Sequence, residues 1–155
     1  MEEDTVNTAE LLVDKYADTL FRIAIQNTGV TQEAEDIVQD VFLAMLKNLP
    51  FESEEHAKRW LIRVTVNKCR DYLRAARRKN LPLEENIAGT YCHQDSDVLQ
   101  QLQKLQPLDR TIVYLFYFEG YNAKEIAKMV GKTRNAVAIR LMRAREALKE
   151  LLEEE

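Results

Sequence analysis

AKRWLIRVTVNKCRDYLRAARRK runs from Ala57 to Lys79 without a single Gly or Pro. Its length and composition suit one long helix. Ile62, Val66, Cys69, Leu73 and Ala76 recur at three- and four-residue steps and so share one face, which must be buried. Arg59, Arg63, Asn67, Arg70, Asp71, Arg74 and Arg78 recur in the same way on another face. That second stripe is mostly cationic, with two small polar side chains set among the arginines. Such a stripe can neutralise phosphates while a few side chains read bases. A basic helix face is also an ordinary solvated surface, so its meaning depends on the rest of the chain.

At 155 residues the chain is long enough for one domain or two small ones. The formal charge of −4 argues, taken alone, against a nucleic-acid binder, but the charges are segregated. Between Ala57 and Lys79, Lys58, Arg59, Arg63, Lys68, Arg70, Arg74, Arg77, Arg78 and Lys79 are opposed only by Asp71. The acids gather at Glu2, Glu3 and Asp4, from Glu33 to Asp40, and at Glu153 to Glu155. One basic and one acidic surface suggest two kinds of partner. No apolar run is long enough to span a bilayer, so no membrane insertion is expected. The acidic start lacks the basic and apolar segments of a signal peptide. A cytoplasmic location is therefore expected. Cys69 falls on the buried stripe. Cys92 and His93 are adjacent, without two further ligands at metal-site spacing, so no metal is expected.

Asn7 and Glu10 have capping-box spacing and predict a first helix starting there. Leu12, Tyr16, Leu20, Ile23 and Asn27 lie on one side of it, and Asn27, Thr28 and Gly29 end it. Thr31 is expected to cap a second helix, with Ala34, Ile37, Val38, Val41, Phe42, Met45 and Leu46 as its apolar stripe. Asp36, Gln39 and Asp40 occupy the opposite face. Pro50 breaks this helix, and Ser53 is placed to cap the third. Residues 1–80 are thus expected as a three-helix domain and residues 81–96 as a flexible linker. Residues 97–155 are expected as a second helical domain. No segment alternates as a strand does, so the fold class is all-α.

In the second domain a helix is expected after Asp95 or Ser96, using Leu99, Leu102 and Leu105. Pro107 suits the first turn of the next helix, through Ile112, Leu115 and Phe116 to about Phe118, ended by Gly120. Asn122 and Glu125 make a second capping box, opening a short helix that stops at Gly131. Thr133 caps the last helix, which carries Val137, Leu141, Ala144, Leu148 and Leu151 inward. Ala127, Gly131 and Val137 hold the spacing of a helix-turn-helix: a small residue for close approach, a Gly for the turn, a branched residue to lock the second helix. That helix exposes Arg134, Asn135, Ala138, Ile139, Met142 and Arg143, with Arg140 and Arg145 adding charge near phosphate height.

Three blocks now resemble a known family. AEDIVQDVF in the second helix, WLIRVTVNKCRDYLR in the third and YNAKEIAKMVGKTRNAVAIRLMRAREALKEL at the end are similar to segments of bacterial RNA polymerase sigma factors. The similarity is to the small two-domain extracytoplasmic-function group, and it spans roughly Leu11 to Leu152. The resemblance implies a transcription initiation factor that binds core RNA polymerase, directs it to promoters and assists melting. Asp36, Gln39 and Asp40 would dock on the clamp helices of the largest polymerase subunit, with the flap as a second contact. Arg63, Asn67, Arg70, Asp71 and Arg74 would face the minus-10 element, where the non-template strand is melted and a base flipped into a pocket. Unstacking is offset by hydrogen bonds and stacking in that pocket, formed in part by the loop from Pro50 to His56. Trp60, Arg77 and Arg78 would support or clamp the strand, although Trp60 is read first as core packing. Arg134, Asn135, Ala138, Ile139, Arg140, Met142 and Arg143 would read the minus-35 duplex. Many relatives have Gly-Thr-Val-Lys-Ser-Arg where this chain has Asn135-Ala136-Val137-Ala138-Ile139-Arg140. Such factors are commonly held inactive by an anti-sigma factor.

Neither a cofactor nor a catalytic residue is expected. With four glycines and two histidines, the chain shows no phosphate-binding loop, Ser/His/Asp set or paired metal ligands. Two other readings remain at this stage. A helix-turn-helix regulator could bind operator duplex DNA on its own, usually as a dimer on a palindrome. An interaction protein could hold polymerase without starting transcription.

Overall fold

The computed structural model describes residues 2–79, 102 and 104–153. Among these residues there are six helices and no strand, in keeping with the all-α expectation. They are α1 (Glu2–Thr28), α2 (Thr31–Leu46), α3 (Glu54–Arg78), α4 (Pro107–Tyr117), α5 (Ala123–Val130) and α6 (Arg134–Glu153). The chain divides into two units, Met1–Leu81 and Pro82–Glu155, each with its own core.

In the first unit α1, α2 and α3 pack against one another. The core is built from Leu12, Tyr16, Leu20 and Ile23 of α1, Ala34, Ile37, Val41 and Met45 of α2, and the expected stripe of α3 from Ile62 to Ala76. Leu20, Met45, Leu61 and Ile62 are among the large side chains sealed at its centre. The apolar periods of three helices thus meet along one axis, as a helical bundle requires.

Two expected starts and one burial are corrected. α1 begins at Glu2, not at Asn7, which lies exposed within the helix. The acids at the new start favour a helix N-terminus. The N-cap of α2 is Val30, in extended conformation, with no side-chain cap bond. Thr31 is the first helical residue instead, and it is the Thr28 hydroxyl that accepts from the Val30 N–H, at 3.3 Å. Leu46, assigned to the apolar stripe, is exposed as the last residue of α2. The other boundaries follow their signals. Gly29 takes φ 70° after α1, its N–H donating to the Ile25 carbonyl at 2.9 Å. Ser53 caps α3, its hydroxyl accepting from the His56 N–H at 3.0 Å.

The second unit is centred on α4. Ile112, Val113, Tyr114 and Leu115 are all buried, so this short helix is covered nearly all round. Leu102 is buried too, but Leu99 and the start of the expected helix there fall outside the described residues. Pro107 opens α4 in its first turn. Arg110 on this helix is buried, which pushes its guanidinium pKa down to about 10. The linker expected over residues 81–96 falls outside the described residues.

Candidate polymerase and nucleic-acid interfaces

α2 turns its acidic face outward. Asp36, Gln39 and Asp40 are all exposed, and Asp36 Oδ1 accepts from Gln32 Nε2 at 3.0 Å. Beside them runs a shallow apolar groove of about 480 Å³ between α1 and α2, lined by Val6, Gln39, Phe42, Leu43 and Leu46. Val6, Leu43 and Leu46 are each more than half exposed. Exposed Leu side chains next to carboxylates give a docking face both apolar area and charge. Periodicity did not single out Leu43. Its signal is an apolar residue outside the buried stripe, next to the acidic one.

α3 separates its two stripes cleanly. Its N-terminal turn carries Glu54 and Glu55 and its last turn Arg77 and Arg78, which suits the helix dipole at both ends. Arg63, Asn67, Asp71 and Arg74 are exposed along one side, and Arg70 is half-buried beside them. Arg59 is held by Glu55, its Nε donating to Oε1 at 3.1 Å. Before the helix, the Phe51 ring meets His56 edge-on at 5.5 Å and Trp60 at 5.4 Å. Trp60 is half-buried, packed on this aromatic cluster. Aromatic faces beside a cationic stripe can take both the bases and the backbone of a single strand.

In the second unit α5 and α6 form the expected helix-turn-helix. The Asn122 side chain accepts from the Glu125 N–H at 2.9 Å while Glu125 Oε1 accepts from the Asn122 N–H at 3.1 Å. Gly131 ends α5 at φ 69°, in the left-handed region that favours glycine. The Thr133 hydroxyl accepts from the Ala136 N–H at 3.1 Å. Ala127 and Val137 are buried where the two helices meet. Arg134, Asn135, Ala138, Ile139, Met142 and Arg143 are exposed together on one side of α6.

Arg140 stands apart from them. It is half-buried, and its Nη1 donates to Asp109 Oδ1 on α4 at 3.0 Å. Sequence spacing gave no sign of this partner, because the two residues lie in different helices. Adjoining that exposed side of α6, an apolar groove of about 970 Å³ is lined by Tyr117, Phe118, Ala138, Met142 and Arg145. The Arg145 guanidinium lies over the Tyr117 ring, 5.9 Å from its centre. Exposed Tyr117 and Phe118 were likewise missed, since they follow the buried stretch of α4 without a break in composition.

Comparison with known proteins bears on both units. The Sigma-70 region 2 profile matches residues 12–79, and the Sigma-70 region 4 profile matches residues 96–148. The chain is 30% identical to the ECF RNA polymerase sigma factor SigM of Mycobacterium tuberculosis, covering 94% of this chain and 85% of that protein. It is 26% identical to SigW of Bacillus subtilis, covering 91% and 87%. Among solved structures, CnrH in complex with the cytosolic domain of CnrY matches with a TM-score of 0.69 at 27% identity, covering 96% of this chain and 90% of that one. The sigma factor RpoE of Bartonella quintana, solved with the anti-sigma factor NepR, shares the fold with a TM-score of 0.75 at 24% identity, over 97% and 98% of the two chains. With both regions matched in order and relatives aligned over nearly their whole length, this chain belongs to the ECF RNA polymerase sigma factors.

Proposed function

We propose that the chain docks on core RNA polymerase through the outward face of α2 and reads promoter DNA at two separate places. The carrying observation is the division of labour in the first unit. Asp36, Gln39 and Asp40 stand exposed beside an apolar groove, while the cationic stripe lies on a different helix. An acidic face complements the basic coiled coil of the polymerase clamp and speeds encounter. Residues 1–80 would carry this contact and the minus-10 element, and residues 97–155 the minus-35 element.

On α3, Arg63, Asn67, Arg70, Asp71 and Arg74 would follow the melted non-template strand. Phe51, His56 and Trp60 would offer stacking surface for a flipped base. On α6, Arg134, Asn135, Ala138, Ile139, Met142 and Arg143 would enter the duplex major groove, with Arg140 at its edge. The apolar groove beside Tyr117, Phe118 and Arg145, on the flank of that surface, would receive the polymerase flap. Two weak DNA contacts on one chain combine through effective concentration. The chain makes and breaks no bond itself, works in the cytoplasm, and is held off by an anti-sigma factor when idle. RpoE, of the same fold, was solved with such a partner.

The deciding experiment mixes the purified chain with sigma-free core polymerase and measures competition against a housekeeping sigma factor. Competitive binding that is lost in the double variant Asp36→Arg/Gln39→Ala is the expected result. No binding at moderate salt would overturn the reading and leave a helix-turn-helix regulator of duplex DNA.

A further inference from the structure

Within the second unit the Arg140–Asp109 pair does more than join two helices. It forms one wall of an open cleft of about 520 Å³ between the segment ahead of α4 and the outer side of α6. Lys104, Ile139 and Arg143 line the same cleft. Its charged lining is therefore three cations, Lys104, Arg140 and Arg143, and one carboxylate, Asp109, a net charge of +2. Lys104 and Arg143 are exposed, and neither has an acidic partner among the described residues.

A net-positive cleft of this size suits an oxyanion, and its place selects which one. Ile139 is 44% exposed and lies on the side of α6 proposed to face the bases. A group bound in the cleft would thus lie next to a base-edge contact, where a duplex presents its sugar-phosphate strand. Arg140 has one Nη committed to Asp109, which fixes the guanidinium plane. Its remaining N–H groups stay available as donors in a fixed fork. A long flexible side chain is thereby ordered before DNA arrives, which lowers the entropy lost on binding.

We propose that this cleft holds one backbone phosphate of the promoter duplex, clamped by Lys104 and Arg140, and that Asp109 is the residue that positions Arg140. The proposal rests on the reading of α6 as the duplex-reading helix. It also makes an acidic residue favourable for DNA binding. Bare charge counting predicts the opposite sign for Asp109, because a carboxylate near a phosphate repels it.

The test uses holoenzyme, reconstituted from the full chain and core polymerase. The probe is a duplex recovered by that holoenzyme from a random-sequence library. Affinity is measured across a salt series. Lys104→Gln and Arg140→Gln should each reduce the slope of log affinity against log salt by about 1, without changing base preference. Asp109→Ala should weaken binding about two- to tenfold. Asp109→Asn, which keeps an acceptor for Arg140 and drops the charge, should bind as well as the parent or better. Tighter binding by Asp109→Ala would overturn the positioning role, and unchanged salt slopes would overturn the clamp. Lys104 is exposed, so its variant remains a test of the clamp should Asp109→Ala fold poorly. An Ile139→Ser variant with unchanged base preference would sink the base-reading role of Ile139 alone, since the salt slopes report the phosphate independently. A holoenzyme that recovers no preferred duplex would overturn both.

Discussion

Lys15 Nζ lies 2.8 Å from both carboxylate oxygens of Glu54, tying the middle of α1 to the first turn of α3. The Lys15 hydrogen bond is the main reason the Glu54 carboxyl titrates below its ordinary value of 4.5. A carboxyl with a depressed folded value contributes stability that is fully present above its unfolded value. That contribution is lost as pH falls through the folded one. The pair is exposed, so the effect is small, but its sign is fixed. Lys15→Met should flatten the acid limb of the stability profile, measured as the urea midpoint against pH from neutral to below 4.5. An unchanged limb would show that the pair contributes nothing in solution.

Cys69 sits in the core stripe of α3, and burial pushes its thiol up to about 12 from an ordinary value of 9.0. A buried neutral thiol is a poor nucleophile. In a Cys92→Ser background, Cys69 should resist alkylation at mildly alkaline pH and label at the rate of global unfolding, followed by mass. Because the folded chain holds this proton longer than the unfolded one, stability should decline as pH rises above 9.0. Labelling of the native protein at the rate of a free thiol would contradict this placement.

The helix-turn-helix of the second unit depends on local chemistry that can be tested directly. Gly131 at φ 69° is in the region where a Cβ is disfavoured, so Gly131→Ala should cost about 1–2 kcal/mol. Asn122→Ala removes one half of the capping box and should cost about 1 kcal/mol. Thermal melts of the two single variants and their pair give the check. The two sites lie at opposite ends of α5, so their effects should add.

Elements with both a capping signal and a strong apolar period were legible from sequence. α3, with Ser53 ahead of it and a clean Ile62–Ala76 stripe, is the clearest case. So is the turn at Gly131. Asn7 and Asn122 show where such signals fail, because both have a Glu three residues on. Ahead of Asn122, Gly120 at φ 77° ends the preceding segment, and the cap forms. Nothing ahead of Asn7 breaks the chain, the acids there favour a helix start, and the helix runs through. The α6 surface was legible because period and capping fix which side faces outward. The partner of Arg140 was not, since a contact between residues 31 apart in sequence depends on how α4 and α6 pack.

Under the proposed reading of α6, Ala138 and Ile139 give duplex recognition its own signature. Both are exposed on α6, at places where many sigma factors resembling this chain have Lys and Ser. A Lys and a Ser offer donors to base edges and phosphates; an Ala and an Ile offer none. What Ile can supply is contact with a thymine methyl in the major groove. Local preference at the minus-35 element should therefore come from that methyl, from duplex shape and from Arg143. Ala138→Lys/Ile139→Ser should lower the preference for thymine at the contacted position and steepen the salt dependence, by about one phosphate contact. Selection from a random duplex library with parent and variant holoenzymes reads both effects. If the two enzymes recover the same sequences with the same salt slope, Ala138 and Ile139 do not face the groove, and the base-reading surface must lie closer to Arg134 and Asn135.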